Sequence, residues 1–210
     1  MREYPELDHN QIAEILSETL KTTECADTGA AVIVLLRLAD QDFQVLFVKR
    51  AEKLTDPWSG QTAFPGGKRD PEDTDLKETG VRETLEETDI NLLEGFRFLG
   101  VMEPVRSTQR PEMKILPFVV LQEKEQTIEL NEELTDYFWV PLKELGQSKG
   151  SVKHRLEEHP AYIIENNVIW GLTYRIVHNL LSLLSFIEEE KQIEDWLSFS
   201  GSFTIVFRNF

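Results

Sequence analysis

"GVRETLEETDI", Gly80–Ile90, sets Glu83, Glu86 and Glu87 beside Arg82 in a run with no helix breaker after Gly80. Like charges three and four residues apart on a helix repel by about 0.2–0.5 kcal/mol per pair, so the cluster asks for a compensating partner. At 100° per residue the three glutamates fall within about a third of the helix circumference. Val81, Leu85 and Thr88 lie opposite, and that second face is expected to pack on a sheet.

Spacing alone does not single this cluster out. With 38 acids in 210 residues, the pattern acid-x-x-acid-acid is expected about once by chance, and a second copy stands at Glu129, Glu132 and Glu133. Context separates the two copies. Arg82 directly precedes the first, and upstream "FPGGKRD", 64–70, offers a glycine turn where backbone can approach a ligand or metal with no Cβ in the way. Three carboxylates about 6 Å apart repel by roughly 3 kcal/mol per pair at an effective dielectric of 20, and a divalent cation reverses the sign. Oxygen ligands suit Mg2+ or Mn2+, and Mg2+ commonly shares its shell with water and substrate phosphates. A solvated acidic face is the competing reading of the same residues.

Around this stretch the chain alternates strand and helix patterns. Residues 9–22 space Ile12, Ile15, Leu16 and Leu20 along one helix face, and "TGAAVIVLLRLADQDFQVLFVKR", 28–50, reads as a β-hairpin. The segment 51–72 holds Pro57, Gly60, Pro65, Gly66, Gly67 and Pro71, too many breakers for regular structure. A helix is expected from about Asp73 to Asp89, then strands near 95–103, 113–121 and 137–142. "AYIIENNVIWG" suggests a hairpin turning at Asn166-Asn167, ahead of an apolar helix at about 172–188. Finally, Phe203, Ile205 and Phe207 alternate as a strand, which pairs either within the domain or with a second copy of the chain as a homodimer contact.

Composition bounds the function. A net charge of −16 argues against a general nucleic-acid binder, whose affinity comes from Lys and Arg displacing counterions. Cys25 is the single cysteine, so no intrachain disulfide forms and a reducing, cytoplasmic setting is expected. Apolar runs such as "AAVIVLL", Ala30–Leu36, are far too short to span a bilayer.

"GGKRDPEDTDLKETGVRETLEETDI", Gly66–Ile90, resembles the Nudix box, G-x5-E-x7-R-E-U-x-E-E-x-G-U with U apolar. The resemblance implies an α+β Nudix fold, a mixed β-sheet sandwiched between α-helices. It divides the chain into an N-terminal helical extension, 1–28, a Nudix hydrolase domain, 29–190, and a C-terminal tail, 191–210. Three departures stand out. Gly67 to Arg82 is one residue longer than the pattern, Asp89 replaces the late glycine, and Thr84 takes the first U position. Asp73 is the nearest candidate for the upstream acid, and no role is assigned to it.

The flank "LFVKRAEKLTDPWSGQTAFPGGKRDPED", 46–73, resembles the coenzyme A pyrophosphatase branch of that family. Arg50, Leu54, Gly60, Gln61, Phe64, Pro65, Gly66, Gly67 and Asp70 match its pattern, while Trp58 stands where that pattern has histidine. The likeness implies hydrolysis of the pyrophosphate of coenzyme A or its acyl derivatives, with ADP-ribose or a nucleotide sugar as the alternative small-molecule substrate. A Nudix-fold module that binds a nucleotide without cleaving it is the reading from another class; the retained R-E-x-x-E-E set favours an enzyme.

In that reading Glu83, Glu86, Glu87 and a carbonyl at Gly66 or Gly67 hold one or more Mg2+ or Mn2+ ions, and Arg82 orients the glutamates. The general base is a box glutamate or Glu133, which otherwise is a solvated loop acid. Arg50, Gln61, Trp58, Lys68 and Arg69 are the substrate-binding candidates; Arg50, Lys68 and Arg69 belong to a group of loop cations that also includes Lys49, Lys53, Arg106 and Arg110. His154, His159 and His178 show no metal-ligand spacing.

Overall fold

The computed structural model describes residues 9–21, 29–40, 42–53, 58–107 and 110–199. In chain order the elements are α1 (His9–Thr19), β1 (Ala30–Ala39), β2 (Asp42–Arg50), β3 (Thr62–Ala63), β4 (Gly66–Lys68), α2 (Leu76–Thr88), β5 (Phe96–Val101), β6 (Val105–Arg106), β7 (Lys114–Gln122), β8 (Leu134–Pro141), α3 (Leu142–Gln147), β9 (Lys149–His154), β10 (Glu157–Ile164), β11 (Asn167–Trp170) and α4 (Gly171–Phe199). Helix α4 runs well past the expected end near 188. The alternating segment at 203–207, Cys25 and Leu54 lie outside the described residues.

Strand β1 organises the sheet because it is paired on both of its edges. One edge pairs parallel with β7 from Ala30↔Ile115 to Leu36↔Leu121. The other is divided: Leu36–Ala39 pair antiparallel with β2, while Ala30–Val32 pair with β4. The β2 strand in turn carries β8 from Gln44 to Arg50 and β3 at Val48 and Lys49, so β3 and β4 fill the space where β1 and β2 part. The glycine-rich segment thus corrects the expectation of no regular structure for 51–72. Two extended pieces of it are stitched into the sheet by backbone hydrogen bonds, which glycine and proline permit at such short length.

Side chains alternate between two cores, as period-2 strands require. Ala31, Ile33 and Leu35 of β1 join Leu46, Leu116, Phe118, Val120 and Leu76 of α2 on one face. Val34 and Leu36 join Val45, Phe47, Val119 and Leu121 with Ala13 and Leu16 of α1 and Ile176, Val177 and Leu180 of α4 on the other. A mixed sheet between helices is therefore the architecture. Helix α1 shares that second core, and Lys21 just beyond it exchanges backbone hydrogen bonds with Val101.

The expected packing face of α2 holds in part: Thr88 is buried and Val81 packs against the core, but Leu85 is 42% exposed. Leu76, Thr79, Gly80, Thr84 and Glu87 are buried as well. Beside Leu76 the contact is made largely by small residues: a Cβ on Gly80 would lie 2.8 Å from Ile33 Cδ1, so the helix rides close against β1. Two further differences concern the second half of the chain. The hairpin closes at Ile164↔Asn167, one residue earlier than expected, with Glu165 at φ 51°. The exposed strand β9 and the short helix α3 carry no apolar alternation or length that the sequence could signal. No helix among the described residues is long and apolar enough to cross a membrane.

Candidate active site

Helix α2 is aimed at the glycine turn by its own ends. Asp75 caps its start by accepting from the Glu78 amide at 2.7 Å, and Asp89 ends it with φ 59°, the left-handed conformation that the box usually gives to glycine. The turn between β3 and β4 then lies across the second half of the helix. The Gly66 N–H donates to Glu87 Oε2 at 2.9 Å, while a Cβ on Gly67 would sit 2.4 Å from the carboxyl carbon of Glu83. The glycine therefore makes the room that the Glu83 carboxylate occupies.

Arg82 holds this arrangement together. Its Nε and Nη2 donate to the two oxygens of Asp73, each at 3.0 Å, its Nη1 reaches Glu83 at 3.0 Å and Glu86 at 3.4 Å, and Nη2 also touches the Lys68 carbonyl at 3.3 Å. Asp73 is buried and accepts in addition from the Thr79 hydroxyl at 2.8 Å and the Asp70 amide at 2.9 Å. Leaving Asp73 without a role is thus corrected: it anchors the arginine. The extra residue between Gly67 and Arg82 is taken up in the loop ahead of Asp75, so the pairing survives an altered spacing.

Electrostatics divide the carboxylates into two kinds. Hydrogen bonds from Arg82, then from Asp70 and Thr79, outweigh burial at Asp73 and hold its carboxyl well below the usual range. At Glu87 burial dominates over the Gly66 N–H, and with repulsion from Glu83 and Glu133 it pushes the group up to about 7 against a pull from Arg50. Burial likewise raises Glu83, opposed by Arg82 and assisted by Glu86 and Glu133. Two carboxylates with displaced protonation beside a backbone donor are the pattern of a candidate functional site, and burial of Glu87 sets it apart from a solvated face.

Glu133 stands near enough to act on both Glu83 and Glu87; its carbonyl accepts from Ala51 at 2.8 Å, which places it beside Arg50. The Arg50 amide donates to the Gln61 carbonyl and the Gln61 amide to the Trp58 carbonyl, both at 3.1 Å, so these three substrate candidates form one connected edge. Arg69, by contrast, turns its guanidinium to the carbonyls of Asp73 and Thr74 at 3.1 and 2.7 Å and braces the loop. Lys68 is exposed. One residue that the sequence reading passed over is Arg175 of α4, within "IWGLTYRIV"; its half-buried side chain reaches the Arg106 carbonyl.

The donor chemistry fits a divalent cation: a buried Glu87, a partly buried Glu83 and an exposed Glu86 on one helix face, with a glycine backbone alongside. Among the described residues, no three His, Cys, Asp or Glu side chains stand close enough to share one ion as placed. The exposed Glu86, 57% accessible at its side chain, is turned to Arg82 and has the freedom to close the set.

Residues 27–165 match the model of the NUDIX domain, and this match covers more than half of the chain. The chain belongs to the Nudix family and is a pyrophosphohydrolase of that class. It is 32% identical over 167 residues to NudL, an uncharacterized Nudix hydrolase of Yersinia enterocolitica, covering 74% of this chain and 81% of that one. It is 28% identical over 189 residues to the mitochondrial coenzyme A diphosphatase NUDT8 of Mus musculus, covering 85% and 88%. A MutT/nudix family protein from Enterococcus faecalis superposes with a TM-score of 0.49 at 18% identity over 82% of this chain and 69% of that one. Members of the family generally use divalent metal ions.

Proposed function

We propose that this chain hydrolyses the pyrophosphate linkage of coenzyme A or its acyl derivatives. The observation that carries the choice of substrate is the likeness to the mouse coenzyme A diphosphatase along 85% of the chain, reinforced by the matching residues from Arg50 to Asp70. One reading competes for a specific reason. Trp58 stands in place of the histidine of that branch, and an aromatic face on which a base can stack serves ADP-ribose or a nucleotide sugar as well as coenzyme A.

Glu83, Glu86, Glu87 and the Gly67 carbonyl would hold Mg2+ or Mn2+, which when bound offsets the charge of the pyrophosphate and lowers the pKa of an attacking water. Arg82, anchored by Asp73, fixes where Glu83 and Glu86 point. The Gly66 N–H fixes Glu87, and Arg50 supplies positive charge at the same edge. Glu133 accepts the proton of the water, whose oxygen bonds to phosphorus as the bridging P–O bond breaks and the bridging oxygen leaves with the other phosphate. For coenzyme A the products are 3′,5′-ADP and a phosphopantetheine.

Hydrolysis of coenzyme A, acetyl-coenzyme A, ADP-ribose and a nucleotide sugar at matched concentration tests the assignment. Coenzyme A substrates should give the highest kcat/KM; a higher value for ADP-ribose would hand the site to the competing reading. Glu133→Gln should lower kcat without raising KM. We place the enzyme in the cytoplasm on its single cysteine, and recovery in the mitochondrial fraction, as the name of the mouse relative suggests, would overturn that. We also propose that residues 29–190 are the catalytic unit and that the tail at 191–210 joins two copies, with molar mass by light scattering as the check on the dimer.

A further inference from the structure

Three arginines gather at the end of the sheet that carries the box. In a chain with 38 acids against 22 bases, none of Arg106, Arg110 and Arg175 has an ion-pair partner among the described residues. Arg175 donates from Nη2 to the Arg106 carbonyl at 2.6 Å and from Nε to the Gly171 carbonyl at 3.4 Å. It is half-buried, and burial lowers its pKa with no carboxylate to oppose the effect. Arg106 donates to the Pro111 carbonyl at 3.3 Å. The Arg110 guanidinium lies 5.1 Å from the ring centre of Trp58, which joins the loop after β6 to the loop before the box.

The location ties these cations to the site. Helix α4 is pinned to β3 where the Thr173 hydroxyl donates to the Thr62 carbonyl at 3.0 Å, and β3 leads directly into Pro65, Gly66 and Gly67. Trp58 connects through Gln61 to Arg50, whose charge acts on Glu87. Leaving a half-buried guanidinium without a counter-ion is unfavourable, and its planar fork matches a phosphate. Arg175 against the backbone of Arg106, and Arg110 against the Trp58 ring, supply the kinds of group a phosphorylated nucleoside uses: an aromatic for the base and guanidinium groups for the charge.

We infer that Arg106, Arg110 and Arg175 with Trp58 form a second anion subsite, which receives a phosphate of the substrate outside the scissile pyrophosphate. The inference rests on the coenzyme A reading, since the ribose of coenzyme A carries a 3′-phosphate that ADP-ribose lacks. Arg175 and Arg110 are then the specificity residues, and the box remains indifferent to that group.

Calorimetric titration with 3′,5′-ADP and with 5′-AMP, in the absence of divalent metal, tests the subsite apart from turnover. Wild-type protein should bind 3′,5′-ADP about 10- to 100-fold more tightly than AMP, as expected for a charge-assisted phosphate contact. Arg175→Ala and Arg110→Ala should each bring the two ligands to within about threefold of one another, and Arg175→Lys should restore part of the difference. Equal binding of both ligands by wild-type protein overturns the inference, as does a preference untouched in both alanine variants; Arg110→Ala serves if Arg175→Ala does not fold. Failure to hydrolyse coenzyme A alongside an intact preference for 3′,5′-ADP would sink the proposed reaction and leave the subsite standing.

Discussion

Gly66 and Gly67 are neighbours, yet adding one methyl group to each should have opposite consequences. At Gly67 the three atoms nearest the new Cβ all belong to the carboxylate of Glu83, with Cδ at 2.4 Å. Ordinary contact begins at about 3.4 Å, so the carboxylate must retreat by about 1 Å, which a side chain can do at little energetic cost. A displacement of that size at a reacting centre lowers the rate by about 100-fold. At Gly66 the Cβ would lie 2.3 Å from the Ala31 carbonyl oxygen and 2.6 Å from Val32 Cα, on a residue with φ 141°. There backbone must move, at a cost of about 3 kcal/mol or more from strain and overpacking together. Urea unfolding paired with metal-dependent turnover separates the two. Gly67→Ala should unfold within about 1 kcal/mol of wild type with kcat down about 100-fold, while Gly66→Ala should lose its cooperative transition or shift it strongly. Full turnover by Gly67→Ala would refute the claim that this glycine exists to seat Glu83.

Glu86→Gln should cost stability less than about 0.5 kcal/mol, since the side chain is mostly exposed, yet lower kcat by about 100-fold or more; an unchanged kcat would take Glu86 out of the chemistry. Glu87 has its folded-state value raised from 4.5 to about 7, so without metal the stability associated with its protonated form is present below 4.5 and lost as pH rises through 7. Glu87→Gln keeps an acceptor for the Gly66 amide and removes that loss, so in chelator at pH 8 it should be more stable than wild type by up to about 3 kcal/mol, with no gain at pH 4; denaturation midpoints at the two pH values decide. Asp73→Asn should cost about 3 kcal/mol at pH 7 by removing the buried two-pronged partner of Arg82, which keeps only Glu83 and Glu86. Because the carboxyl of Asp73 is held far below 3.8, its contribution is present above that value and fades as pH falls through the folded-state value, so the gap between variant and wild type should narrow at pH 2. A gap that stays constant down to pH 2 would mean that ionisation of Asp73 contributes nothing.

The parts of the site that follow from local rules were legible. Helix α2 announces itself by helix formers between the breakers before Asp73 and the glycine-like Asp89, and its three glutamates share a face by arithmetic. The buried face was legible only in part: Thr88 and Val81 turn inward as expected, while Leu85 stays out and Thr84 and Glu87 go in, because a helical wheel ranks residues by polarity while the sheet selects by size. Thr84 and Thr88 go inward beside Gly80, and the Thr88 hydroxyl satisfies itself on the Thr84 carbonyl at 2.6 Å. The role of Asp73 was hidden by counting residues along a motif, since a loop absorbs an inserted residue without moving the ion pair. Arg175 lies nearly a hundred residues from the box, and only the crossing of α4 over β3 brings it to the same end.

Because β4 is hydrogen-bonded along β1 and the Gly66 amide is spoken for by Glu87, the segment beside the candidate site is tied to the sheet on one side and to α2 on the other. Its amides should exchange with deuterium on the timescale of whole-molecule opening rather than of a surface loop. On the proposed reading substrates meet a fixed platform, and adjustment during turnover falls to Glu86 and to the loops bearing Trp58 and Arg110.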